Sequence, residues 1–276
     1  MPEVAKPVFR AGAPTALEPQ AVEAVAAEAP PDLSIVIPVH NEGENILALI
    51  DEITAVLDDG PSHEIIVIDD GSDDDTPTIM RSAIARTPAL TVHRHTVRRG
   101  QSAALLTGAR RARAEWIATL DGDGQNDPAD LIKLLARRDG EPPGSNLQMV
   151  IGNRANRRDN FVKRLSSRIA NGVRRRVLGD AAFDTGCGLK LVSRSMFFQL
   201  PHFDHFHRFL PALVLWAGGR VAAVDVNHRP RTRGRSHYGT MARLWVGLID
   251  LGGVVWLQKR GFGLIDVVDE SPEQED

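Results

Sequence analysis

Asp121-Gly-Asp123 sets two carboxylates two residues apart, directly after the apolar run Trp116 to Leu120. Side chains at i and i+2 leaving a strand point to the same side. Hard oxygen donors on a short, glycine-relaxed turn suit Mg²⁺ or Mn²⁺, which complete their shells with water and substrate phosphates. Alone, such a pair reads more simply as a polar turn capping the next helix. Two companions change its weight. His40-Asn41-Glu42 follows the apolar run Leu33 to Val39, and Asp69-Asp70-Gly71-Ser72 closes the run that begins at Glu64. A carboxylate at a strand end accepts hydrogen bonds from a ribose or a base N–H. Asp70 is the candidate, whereas Asp73, Asp74 and Asp75 read as an Asx-turn and helix cap. Three polar clusters at three strand ends point to one ligand site.

The elements that must position these residues alternate. Leu33 to Val39 and Glu64 to Asp69 are short, β-branched apolar runs that predict buried strands. Leu90 to His95 and Trp116 to Leu120 predict a third and a fourth. Asn41 to Asp58 carries Ile46, Leu49, Ile50, Ile53 and Leu57 at helical spacing. Pro77 fits a first helical turn, and Gln101 to Ala114 reads as a helix. Solid apolar strands alternating with helices predict an α/β fold with a mostly parallel sheet covered on both faces. Ligands of such sheets sit at the carboxyl ends of the strands, where the three clusters fall. Beyond Asp123 the pattern predicts a helix over Asp127 to Arg138, with Asp127 as cap and Pro128 first. A short strand at Met149 to Gly152, a helix from Ser193 and a strand over Arg220 to Val226 follow.

The net charge of −3 over 276 residues is unevenly spread. Residues 1–31, rich in Ala, Pro and Glu, sum to −2 and read as disordered; residues 266–276 hold six acids and no base, a solvated tail of −6. The body between them is therefore +5, which favours an anionic ligand or surface. Nine Lys or Arg stand against one acid from Asn153 to Arg176, and a second basic cluster runs from His228 to Tyr238. With one Tyr in the chain, these runs lack the interleaved aromatics of a single-strand nucleic-acid binder. One Cys excludes a disulfide framework and a multi-cysteine zinc site and fits a reducing compartment; Cys187, between two glycines, reads as tight packing. His205 and His207 read as surface or acceptor-side residues. No basic-then-apolar signal segment opens the sequence. Leu244 to Gln258 holds a single charge, Asp250. As a helix this run is about 22 Å long, short of a hydrocarbon core of about 30 Å.

The motifs Ile37-Pro-Val-His-Asn-Glu42, Asp69-Asp-Gly-Ser-x-Asp74-x-Thr76 and Asp121-Gly-Asp-Gly-Gln-Asn-Asp-Pro128, in this order, resemble the family 2 glycosyltransferases. More narrowly, they resemble the dolichyl-phosphate mannosyltransferase-like branch, which makes polyprenyl-phosphate sugars. The resemblance covers residues 32–260. It implies a GT-A fold, a Rossmann-like α/β domain that binds a nucleotide sugar. It implies that Pro38, His40, Asn41, Glu42 and Asp70 line a nucleoside pocket, with Gln101 near the donor. Asp121, Asp123 and Gln125 would hold Mg²⁺ or Mn²⁺ on the donor diphosphate. Gly152-Asn-Arg154 and Lys163-Arg164-x-Ser-Ser167 resemble the acceptor-phosphate segment, which implicates Arg154, Arg164 and Ser167. Arg231, in Arg231-x-x-Gly234-x-Ser236, matches an element whose Arg faces phosphate. One position departs: Gly124 stands where this branch often has Leu.

The implied reaction is inverting transfer from a UDP- or GDP-sugar to a polyprenyl phosphate at the cytoplasmic membrane face. A phosphate monoester, with a second pKa of about 6, is already anionic near neutral pH and needs no strong base. Arg residues would hold it in line through forked hydrogen bonds. A glycan or lipid hydroxyl acceptor would need a carboxylate base instead, and Asp184 is the candidate. The expected layout is a disordered 1–31, a GT-A domain over 32–240, an amphipathic helix over 241–262 and an acidic tail over 263–276. By length the apolar run reads as a buried core helix. Its basic ends, Arg243 and Lys259-Arg260, with Trp245 and Trp256, suit the bilayer interface, and the resemblance favours that reading. The protein is then peripheral to the membrane.

Overall fold

The computed structural model describes residues 29–142, 144–154, 184–230 and 240–261. Strand β1 (Leu33–Val39) pairs in parallel with β2 (His63–Asp69) along its whole length, Leu33 opposite His63 and Val39 opposite Asp69. Ile35, Val36, Ile37, Ile65, Ile66, Val67 and Ile68 are all buried, as expected of strands covered on both faces. β3 (Leu90–Arg94) lies outside β2, and β4 (Trp116–Thr119) lies on the far side of β1, both parallel. Helix α1 (Gly43–Leu57) covers one face with Ile46, Ile50 and Ile53, beside α2 (Thr76–Ile84). Helix α3 (Gln101–Arg111) covers the other with Ala104, Leu105 and Ala109. It sits close because of Gly108, where a Cβ would stand 2.3 Å from Val36 Cγ1.

β5 (Leu147–Arg154), β6 (Lys190–Ser193) and β7 (Arg220–Val226) complete a seven-stranded sheet of order β3-β2-β1-β4-β6-β5-β7. The sheet is mostly parallel. β6 runs antiparallel between β4 and β5. The chain builds outward from β1 to β3, then returns to lay β4 on the other side of β1. This reversal opens a crevice at the carboxyl ends of β1 and β4, where α/β sheets take their ligands.

The limits of α3 and of α4 (Asp130–Asp139) differ from the sequence pattern because side chains capture the backbone. Helix α3 stops at Arg111, not Ala114. Arg113 N–H donates to Glu64 Oε1 at 2.7 Å, and Ala114 N–H donates to Ser34 Oγ at 3.0 Å. Helix α4 begins three residues past the expected cap. Asp127 instead closes a turn, accepting Ala129 N–H at 3.1 Å, while its other contacts tie it to Arg229 and Asn227.

Ser193 caps α5 (Arg194–Gln199), and α6 (Leu210–Trp216) precedes β7. Helix α7 (Thr240–Arg260) has two characters. Val254 is buried, and Leu251, Val255 and Leu257 pack beside it on the α3 side of the sheet. Trp216 Nε1 donates to Gln258 O at 3.1 Å. Its other side carries Ile249, 72% exposed, and Trp256, 65% exposed. Among the described residues no helix is long and apolar enough to cross a membrane. Residues 1–28 and 262–276, Arg164, Ser167, Arg231 and the side chain of Trp245 lie outside the described residues.

Candidate active site

The loop leaving β1 is fastened to the loop leaving β2. Asn41 takes the left-handed conformation, φ 58°, which Asn tolerates better than most residues. Its N–H donates to Ser72 Oγ at 3.0 Å, and Asp73 N–H donates to its Oδ1 at 3.0 Å. Glu42 N–H donates to Thr76 Oγ1 at 3.1 Å, and its carboxylate accepts Asn45 Nδ2 at 2.8 Å. His40 Nδ1 lies 3.0 Å from Asp70 O. Pro38 stands opposite Ile68 in the register. The polar residues expected to line a nucleoside pocket thus stand together at the strand ends, with much of their hydrogen bonding spent on joining two loops.

Asp70 is buried and heavily engaged. Oδ1 accepts Arg99 N–H at 2.8 Å and lies 2.7 Å from His95 Nδ1; Oδ2 accepts Gly100 N–H at 2.7 Å. Burial works to raise its pKa, but these donors together hold it below the usual carboxylate range. His95 is braced in turn by Thr107 Oγ1, 2.9 Å from Nε2. Asp70 therefore anchors the β3–α3 loop. Gly100 in that loop has φ 91°, open only to glycine at low cost. The next residue, Gln101, donates from Nε2 to Asp121 Oδ1 at 2.8 Å.

Asp121 and Asp123 stand together in the β1–β4 crevice. Burial, and then the charge of Asp123, push the Asp121 pKa up. Gly188 packs against this carboxylate: a Cβ there would lie 2.3 Å from Oδ2. Asp123 Oδ1 accepts Gln125 N–H at 3.1 Å. Gly124 has φ 71°, and a Cβ there would meet nothing within 4 Å. The backbone turn, not crowding, explains glycine at this position. The Gln125 amide donates from Nε2 to Arg229 O at 3.4 Å, so its nitrogen faces the β7 side. Among the described residues no group of three or more His, Cys, Asp or Glu is placed to hold a metal. Two carboxylates of hard oxygen, mutually repelling and half-buried, nonetheless fit a Mg²⁺ or Mn²⁺ ion, whose other positions go to water and diphosphate.

Arg154, at the end of β5, and Asp184 form a forked pair, with Nη2 donating to Oδ1 at 2.7 Å and Nε to Oδ2. Burial opposes the charge on Arg154, but Asp184 more than offsets this and holds its pKa up. A carboxylate that accepts both arms of a guanidinium is a poor proton acceptor. The structure thus places Asp184 as the partner of Arg154.

Three residues here carry no local sequence signal of a role. His95 ends a strand run, Gly188 adjoins Cys187, and Lys190 opens an apolar strand. Lys190 is buried behind Asp121, and its ammonium donates to Cys187 O. Burial lowers its pKa, with Asp121 acting against that shift. Cys187 is buried and tightly packed, as the flanking glycines predict. His207 is half-buried, 2.8 Å from Ser102 Oγ, and burial pushes its pKa down to about 3.

The chain matches glycosyl transferase family 2 over residues 34–200 and belongs to that family. It is 33% identical over 236 residues to a dodecaprenyl-phosphate galacturonate synthase of Rhizobium johnstonii, covering 83% of this chain and 68% of that one. It is 32% identical over 214 residues to an undecaprenyl-phosphate 4-deoxy-4-formamido-L-arabinose transferase of Edwardsiella ictaluri, covering 76% of this chain and 63% of that one. In fold it is similar to mannosyl-3-phosphoglycerate synthase of Rubrobacter xylanophilus, with a TM-score of 0.63, 18% identity and coverage of 88% and 79%. It is also similar to glucosyl-3-phosphoglycerate synthase of Mycobacterium tuberculosis in complex with Mn²⁺, uridine-diphosphate-glucose and phosphoglyceric acid, with a TM-score of 0.61, 24% identity and coverage of 81% and 80%. The fold is the GT-A-like α/β fold expected from the sequence.

Proposed function

We propose that this glycosyltransferase moves a sugar, with inversion, from a nucleoside diphosphate to a polyprenyl phosphate. The observation that carries the reading is the pair Asp121 and Asp123 at the β1–β4 crevice, with Asp121 fixed between Gln101 and Gly188. The names of the relatives from Rhizobium johnstonii and Edwardsiella ictaluri supply the acceptor class. The Mn²⁺ and uridine-diphosphate-glucose in a structure of similar fold support a divalent ion and favour a uridine donor.

Asp121 and Asp123 would hold the ion, which would neutralise charge on the departing nucleoside diphosphate. Gln101 fixes the direction of the Asp121 carboxylate. Arg154, kept charged by Asp184, is the described cation best placed to face an acceptor phosphate; Arg164, Ser167 and Arg231 would complete that side. The acceptor phosphate brings its own anionic oxygen, so the commitment of Asp184 to Arg154 leaves the reaction without a missing base. The apolar outer side of α7, with Ile249, Trp256, Lys259 and Arg260, would rest on the cytoplasmic face of the membrane.

The test incubates the protein with Mg²⁺ or Mn²⁺, a panel of nucleotide sugars and undecaprenyl phosphate. Lipid-linked sugar is expected to form, and Asp123→Ala to abolish it. Transfer only to a glycan or lipid hydroxyl, lost in Asp184→Asn, would refute the lipid-phosphate acceptor.

A further inference from the structure

Asp250 is the one charged residue from Leu244 to Gln258. A carboxylate on an apolar helix is costly to cover unless it is paired. Asp250 is covered, with 17% of its side chain exposed, and it is paired: Oδ2 lies 3.0 Å from His205 Nδ1. His205 has φ 65°, uncommon for a residue with a side chain, and it precedes the 3₁₀ turn Phe206–Arg208. On that turn, His207 meets Ser102 Oγ at 2.8 Å. Ser102 is buried beside Gln101 in the first turn of α3, and Gln101 holds Asp121. The same loop approaches Gly100, where a Cβ would come 3.7 Å from Asp204 Oδ1. Three polar contacts, joined by short steps along the backbone from His205 to His207 and from Ser102 to Gln101, thus lead from the C-terminal helix to Asp121. Apolar docking through Val254 and Leu257 secures the rest of α7 without any charge.

We propose that Asp250 is a positioning residue for the donor centre. Its pair with His205 fixes the loop over residues 201–209, His207 on that loop seats Ser102, and Gln101 is thereby held against Asp121. Docking of α7 then sets how well Asp121 and Asp123 hold a cation. The inference rests on the cation role given to these two residues under Proposed function.

The test measures Mn²⁺ binding in the presence of UDP, by electron paramagnetic resonance of free Mn²⁺, without turnover. Asp250→Ala and His205→Asn are each expected to weaken binding by about tenfold. Asn is chosen at 205 because it tolerates the left-handed backbone. The double variant is expected to be no weaker than the weaker single one. Asp250→Asn, which keeps an acceptor oxygen, is expected to recover most of the affinity. Gly252→Ala, an exposed change on the same helix, is expected to leave it unchanged. Wild-type affinity in Asp250→Ala, or additive losses in the double variant, would overturn the proposal. Should Asp250→Ala fail to fold, His205→Asn carries the test, and wild-type affinity in that variant would overturn the proposal. Binding that Asp123→Asn abolishes and Asp250→Ala leaves intact would sink the positioning role alone. A wild-type protein that binds no Mn²⁺ would refute the cation reading and this proposal together.

Discussion

Gly188 stands where any side chain would strike the Asp121 carboxylate, 2.3 Å from a Cβ to Oδ2. Its backbone is not in the left-handed region, so alanine is tolerated by the chain and refused by the neighbour. Gly188→Ala is expected to lower kcat about 100-fold, the usual cost of misplacing a catalytic group by about 1 Å. Steady-state kinetics beside a melting curve would separate this from unfolding. Asp70 makes a different prediction. Burial opposes its charge, but His95 and the N–H groups of Arg99 and Gly100 depress its folded pKa. Its contribution to stability is therefore present above the unfolded value of about 3.9 and is lost as pH falls through the lower folded value. Asp70→Asn is expected to flatten the acid limb of stability and to cost about 1–3 kcal/mol at pH 7, measured by denaturant melts across pH. The sequence marked Asp70, Asp121 and Asp123 because acids directly after apolar strands are locally visible. It did not mark Gly188, His95 or Lys190, whose meaning lies in neighbours distant along the chain. It also left Asp184 open as a base, since its pairing with Arg154 joins residues 30 apart.

Helix α7 shows why composition alone left two readings of one element. Its apolar residues occupy two faces, so Val254 serves the core while Ile249 and Trp256 face outward. The length rule and the basic ends each described one face. Replacing Ile249 and Trp256 together by Ser is expected to reduce flotation with anionic vesicles at least about tenfold, from the lost transfer of two large apolar side chains. The melting temperature should barely change, because neither side chain is buried. Unchanged flotation would remove the outer face of α7 as the membrane contact. The limits of α3 and α4 were the least legible features, since Ser34, Glu64 and Asp127 redirect backbone donors that a periodic pattern would leave in the helix.

Across the whole molecule, charge is opposed end to body. The last eleven residues contribute −6 to a net −3, so a chain cut after Ile265 would carry +3. The cut protein is expected to bind anionic vesicles more tightly at low ionic strength, with the difference fading as salt shortens the Debye length from roughly 10 Å at 0.1 M. Co-sedimentation over a salt series would show it. The parallel half of the sheet was legible from its solid apolar runs, whereas nothing in Lys190–Ser193 announced a strand set between two earlier ones. That insertion has a consequence for the newborn chain. β4 is finished at Thr119, yet its outer edge stays bare until β6 has been synthesised and laid beside it. At roughly 5–20 residues per second, ribosomes expose this edge for several seconds. Fragments ending before Lys190 should aggregate in a pelleting assay. During those seconds Asp121 and Asp123 already exist in the chain, but Gly188 has yet to close on them. The packing of Gly188 against Asp121 is therefore one of the last features of the site to form.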